Sequence, residues 1–111
     1  MEHRKVLIDT SVIIDHLRKR DKQKSTLFNI AGLFDLFVSS ITVFELFAGA
    51  TDERKKKDIE NIISTTEVIS FSTDIAKEAG ELYISLKKEN RMLEIRDIFI
   101  AATAVTFNLP I

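Results

Sequence analysis

Short apolar runs alternate with stretches of helical periodicity along this chain. Val6-Leu7-Ile8 is an apolar run with a β-branched bias that ends at Asp9, and it predicts a buried strand. Thr10-Ser11 then offers a cap for a helix carrying Val12, Ile13, Ile14 and Leu17 and running to about Arg20. Ser25 is the expected cap of a second helix with Leu27, Phe28, Ala31 and Phe34. Leu36 to Ser39 predicts the second strand. Thr42 is placed to cap the next helix, with Glu45 three residues on at capping-box spacing. Asp52 starts a charged helix whose apolar face is Ile59, Ile62 and Ile63, and Val68 to Phe71 predicts the third strand. Ser72 or Thr73 caps a long helix with its stripe at Ile75, Ala79, Leu82 and Leu86. Asp97 is expected to open a last helix, Ile98 to about Phe107, whose apolar character all round calls for burial and so places Asp97 near the sheet rather than in solvent.

Strands alternating with helices in this way predict an α/β fold with parallel strands and right-handed crossovers. The final residues, Asn108-Leu109-Pro110-Ile111, read as a turn leading into a fourth strand that is missing or truncated. No repeat, linker or low-complexity tract divides residues 1–111, so one domain is expected, incomplete at its C-terminus.

Composition alters this picture only in places. A hydrophobic fraction of 45% supports a core, and 30% charged residues support a polar surface. The absence of cysteine excludes disulfides and zinc–thiolate sites. Only three apolar residues separate the polar start from Asp9, too few for a signal peptide, and no run approaches the ~20 residues of a membrane helix. A cytoplasmic location is the expectation. The net charge of −1 gives no bulk support for nucleic-acid binding. Two basic stretches, Arg18 to Lys24 and Glu53 to Lys57, are either solvated helix ends or edges that hold phosphates beside an acidic pocket. Most of the eight phenylalanines fall at apolar-face positions and read as core, and Tyr83 reads as packing. His3 reads as a terminal residue and His16 as a face of the first helix, neither with chemistry to do.

The chemistry resides in carboxylates. Sites in parallel α/β sheets form at the carboxyl ends of strands. Asp9 ends the first strand, Glu45 lies shortly after the second, and Asp97 begins the helix expected before the missing strand. Each has a structural alternative: a helix N-terminus for Asp9, a capping box for Glu45, an N-cap for Asp97. The functional alternative is a divalent cation. Hard oxygen donors suit Mg²⁺ or Mn²⁺, and such a site supports phosphodiester hydrolysis.

Three stretches resemble the motifs of one family. Leu7-Ile8-Asp9-Thr10-Ser11-Val12-Ile13-Ile14 resembles the opening of PIN domains. Ser40-Ile41-Thr42-Val43-Phe44-Glu45-Leu46 with Gly49 resembles their second motif, as found in the VapC-type toxins. Ile95-Arg96-Asp97-Ile98-Phe99-Ile100-Ala101-Ala102-Thr103-Ala104 resembles their third. The resemblance spans nearly the whole chain. It implies a three-layer α/β/α fold with a parallel central sheet, and a ribonuclease using Mg²⁺ or Mn²⁺. It implies that Asp9, Glu45 and Asp97 are the catalytic and metal-binding acids, with Ser11 orienting a ligand or water beside the first. It further implies an RNA substrate, a VapB-type antitoxin and a homodimer, with no membrane. Family members continue past the position of Ile111 into a strand with a fourth acidic or polar residue. Its absence leaves room for one metal rather than two, and for an alternative in which the chain is a catalytically impaired scaffold that binds antitoxin or RNA. It also predicts an open sheet edge, and with it self-association or low stability. A receiver-like phosphoacceptor fails because no Asp ends the third strand and no Lys follows position 88. A HAD-like phosphatase fails because Ser11 stands where a second Asp is required.

Overall fold

The computed structural model describes residues 4–111, so His3 lies outside the described residues. Three parallel strands, β1 (Arg4–Leu7), β2 (Phe34–Ser39) and β3 (Glu67–Ile69), form one sheet in the order β1-β2-β3. Val6 is in register with Leu36, and Val38 with Val68. Between β1 and β2 run α1 (Thr10–Arg18), a 3₁₀ turn (Lys22–Lys24) and α2 (Thr26–Ala31). Between β2 and β3 run α3 (Ser40–Ala48) and α4 (Glu53–Ile63). The helices α5 (Thr73–Lys88) and α6 (Ile95–Thr106) complete the described chain.

The alternation of side chains along each strand builds three layers. Ile8, Leu36 and Val38 point to one face, where Ile13, Leu27, Leu46 and Ile59 of α1 to α4 cover them. Leu7, Phe37 and Ile69 point to the other face, against Ile100 and Ala104 of α6. Behind α6, Ile75 and Ala79 of α5 pack on Ile98 and Ala102. This is the expected three-layer α/β/α sandwich. The end of β1 is covered on both faces, Leu7 on one and the following Ile8 on the other, which is why Val6-Leu7-Ile8 is an unbroken apolar run, whereas Arg4 and Lys5 at its start are exposed.

Helix ends explain most departures from the expected boundaries. Ser25, Asp52 and Ser72 cap α2, α4 and α5, accepting from the N–H groups of Phe28, Lys55 and Ile75. Thr42 does not cap α3. Ser39 does, accepting from Ile41, so α3 starts three residues earlier and Thr42 lies inside it, fully buried. Phe34 belongs to β2, because α2 already stops at Ala31. The third strand ends at Ile69, since Phe71 donates its N–H to the Ser40 hydroxyl rather than to a strand.

Both α5 and α6 end on an asparagine with positive φ, 55° at Asn90 and 53° at Asn108. Asn tolerates this left-handed conformation better than most residues. The following N–H then reaches back into the helix, from Arg91 to Leu86 and from Leu109 to Ala104, each at 2.8 Å. The second of these caps turns Leu109 onto Leu7 and brings the Pro110 carbonyl within 2.8 Å of the Leu7 N–H. The residues after α6 thus run beside β1, on the side away from β2. Among the described residues, no helix is long and apolar enough to cross a membrane.

Candidate active site

Asp9 sits two residues beyond β1 at the N-cap of α1, but its carboxylate accepts no hydrogen bond from the backbone N–H groups of the helix. The Ser11 hydroxyl donates to it instead, at 3.3 Å. The expectation that Thr10 or Ser11 caps α1 is therefore corrected: both stand in the first turn, and the capping position holds an acid whose side chain makes no capping bond.

Glu45 does not close a capping box. It lies in the middle of α3, where its Oε1 is 2.9 Å from the Thr10 hydroxyl and its Oε2 is 3.4 Å from Nη1 of Arg96. Thr10 Oγ1 is also 3.0 Å from Thr42 Oγ1, and both hydroxyls are buried. A carboxylate only accepts and each hydroxyl has one proton. The consistent arrangement has Thr42 donating to Thr10, and Thr10 donating to Glu45. A short polar relay inside the α1–α3 contact thus fixes the direction of this glutamate.

Asp97 is not the N-cap of its helix. Glu94 holds that position, and Asp97 lies in the first turn, exposed rather than buried against the sheet. The reason is geometric: burial along α6 begins at Ile98, whereas its first turn reaches the rim of the molecule. An acid in the first turn is favoured by the helix dipole.

Asp9, Ser11, Glu45 and Asp97 line one open cleft of about 600 Å³, together with Thr10, Phe44, Glu94 and Arg96. The structure thus brings together all four residues singled out from the sequence. It adds three polar residues that sequence reasoning did not assign to the site, Thr10, Glu94 and Arg96. Arg96 carried a signal, since it directly precedes Asp97 at the start of a buried helix. Thr10 carried none beyond its place next to Asp9, because its partners lie more than 30 residues away along the chain. Phe44 is 70% exposed at the cleft wall, and Phe28, Phe71 and Phe107 are also exposed. Phe34, Phe37, Phe47 and Phe99 are only partly buried. The phenylalanines therefore sheathe the core rather than fill it, and Tyr83 is exposed as well.

The fit to a divalent ion is one of kind and place. Asp9, Glu45 and Asp97 supply hard oxygen donors to the cleft, and Glu94 adds a fourth carboxylate to its lining. Among the described residues, however, no three acidic or histidine side chains converge closely enough to hold one ion together. The nearest cation to Glu45 is a protein group, Arg96.

This fold and cleft belong to a recognisable class. The PIN domain profile matches residues 6–111, and the chain belongs to the PIN-domain family. It is similar to two proteins of Methanocaldococcus jannaschii. One is called Ribonuclease VapC3, 34% identical over 86% of this chain and 94% of that one. The other is called Ribonuclease VapC1, 27% identical over 99% of this chain and 75% of that one. Among solved structures it is similar to a DNA-bound VapBC from Salmonella typhimurium, with a TM-score of 0.79 and 26% identity over 96% of this chain and 83% of that one.

Proposed function

We propose that the chain is an endoribonuclease toxin of the VapC type, hydrolysing RNA phosphodiesters with Mg²⁺ or Mn²⁺ at the cleft of Asp9, Glu45 and Asp97. The observation that carries this reading is that those three acids, from three separate parts of the chain, line one cleft of a PIN-family chain. Its likeness to proteins named ribonucleases supports the reaction class. A divalent cation, when bound, supplies Lewis-acid activation of water and neutralises charge on the phosphoryl group. The chain's own residues do the rest. Ser11 steadies the Asp9 carboxylate, Thr10 aims Glu45, and the first turn of α6 presents Asp97. Arg18 and Lys55 line a second pocket that adjoins the first through Ile14 and Glu45, and there they offer positive charge to the RNA backbone.

A VapB-type antitoxin is the proposed protein partner, supported by the VapBC complex among the similar structures. A homodimer within the cytoplasm and one continuous domain complete the reading. Exposed apolar side chains such as Met92, Leu93 and Ile95 provide surface for such contacts.

A second reading has its own observation. Because no three acids close around a point, and Arg96 already neutralises Glu45, a scaffold that binds antitoxin or RNA without cutting is the alternative. Incubating single-stranded RNA with the protein and Mn²⁺ separates the two. Cleavage that EDTA stops, and that Asp9→Asn lowers on the order of 100-fold, supports the nuclease. A wild type that binds RNA and leaves it intact establishes the scaffold.

A further inference from the structure

Arg96 touches two of the four acids in the cleft. Its Nη1 is 3.4 Å from Glu45 Oε2, while Nη2 and Nε lie 2.7 and 2.8 Å from one oxygen of Glu94. The two acids are not equivalent. The Glu45 side chain is 17% exposed and the Glu94 side chain 66%. A carboxylate that has lost most of its water needs a compensating charge, whereas one in solvent does not. Glu45 has both oxygens engaged, one by Thr10 and the other by Arg96.

Arg96 is the second residue of α6, a poor place for a cation, because the helix dipole is positive there. The acids around it make the position tenable. Glu94 holds the guanidinium at short range and at the surface. The side chain can therefore release Glu45 without leaving the cleft.

We propose that Arg96 is a resident counter-ion for Glu45, competing with the divalent cation for this carboxylate and thereby setting how tightly the site takes its ion. The proposal rests on the reading of the cleft as a divalent-metal site. Its physical basis is repulsion: a guanidinium and a divalent ion cannot both sit against one sheltered carboxylate without a cost that grows as water is excluded. Metal binding and the Arg96–Glu45 pair are then mutually exclusive, and Glu94 is the second station to which Arg96 retires. Arg96 is a positioning residue in this scheme.

Calorimetric titration of the full chain with MnCl₂, without RNA, tests this directly. Arg96→Gln is expected to bind Mn²⁺ roughly three- to tenfold more tightly than wild type, the range appropriate to a partly exposed ion pair. Arg18→Gln removes an equal charge from the adjoining pocket, where no ion pair to Glu45 is made, and should change the affinity less than twofold. Equal tightening by both variants would mean general electrostatics, and the proposal falls. Unchanged or weaker binding by Arg96→Gln, with wild type binding normally, also overturns it and leaves the metal-site reading standing. No Mn²⁺ binding by any of the three overturns the metal site and the proposal together. Circular dichroism and thermal melting check that the variants are folded, and Arg96→Met, which keeps the apolar stem, replaces Arg96→Gln if that variant is not.

Discussion

Thr10 shows how much a single hydroxyl carries in this molecule. It is buried, it receives the proton of buried Thr42, and it gives its own to Glu45. Thr10→Val keeps the shape and removes the relay, leaving the Thr42 hydroxyl without its partner. An orphaned buried polar group costs about 1–3 kcal/mol. Urea unfolding should show a loss of that size for Thr10→Val, and less for Thr10→Ser, which retains the oxygen. His16 makes a second residue-scale argument. Its Nδ1 is 2.6 Å from the Ser25 hydroxyl, which already accepts from the Phe28 N–H. That contact holds the ring at the partly buried junction of α1 and α2. Burial first, and then the nearby Lys22 ammonium, lower the His16 pKa below the usual 6.5, against a smaller opposing pull from Asp15. The unfolded chain therefore takes up this proton at higher pH than the folded one. The contribution is complete above about pH 6.5 and is lost as pH falls from there through the folded value. Melting temperatures at pH 7.5 and pH 5 should fall further for wild type than for His16→Gln, and equal falls would remove the histidine from the account.

At the scale of elements, α5 is a helix whose sequence and packing agree. Ser72 caps it, and Asp74 in its first turn and Lys87 and Lys88 in its last suit the dipole. Its stripe of Ile75, Ala79, Leu82 and Leu86 lies on α6, with Ile75 fully buried and Leu86 only partly. Ile75→Ala should cost about 2–5 kcal/mol in denaturant unfolding. Leu86→Ala, at a position only partly buried, should cost clearly less; equal losses would mean that the contact with α6 is uniform along the helix. Elements of this kind were legible from sequence because periodicity, cap and charge all point the same way. The cap of α3 was not. Thr42 and Glu45 have capping-box spacing, but Ser39 is an equally good cap three residues earlier, and the demand to bury Thr42 against Thr10 decides between them. Three of the four acids of the cleft, Asp9, Glu45 and Asp97, were legible because each follows a strand or opens a buried helix. The partners Thr10 and Arg96 of Glu45 were not, because they come from α1 and α6, and no local pattern encodes which helices meet. Asp97 was expected beside the sheet and is exposed, since apolar character along a helix says nothing about where its first turn ends up.

For the whole molecule, the arrangement of charge matters more than its sum. Sixteen basic and seventeen acidic residues nearly cancel, yet Arg18 and Lys55 line a pocket that opens next to the acidic cleft. RNA lying across both would meet cations on one side and carboxylates on the other. Positive charge along the path is needed to bring a phosphate near acids that otherwise repel it. Each cation that contacts a phosphate of single-stranded RNA should contribute about 0.7 to the slope of log affinity against log salt. Binding is best measured on Asp9→Asn, so that cleavage does not intervene, with a fluorescent oligonucleotide at several salt concentrations. Adding Arg18→Gln and Lys55→Gln together should weaken binding and flatten the slope by roughly 1.4, irrespective of the RNA sequence used. An unchanged slope would mean that the backbone does not pass over this pocket and approaches the cleft from the α6 side, where Arg96 is the cation at the rim. The same double variant should leave thermal stability nearly unaltered, because both side chains are exposed and surface charges contribute about 0–1 kcal/mol. A loss of binding with stability retained is therefore the pattern that assigns these residues to the substrate rather than to the fold.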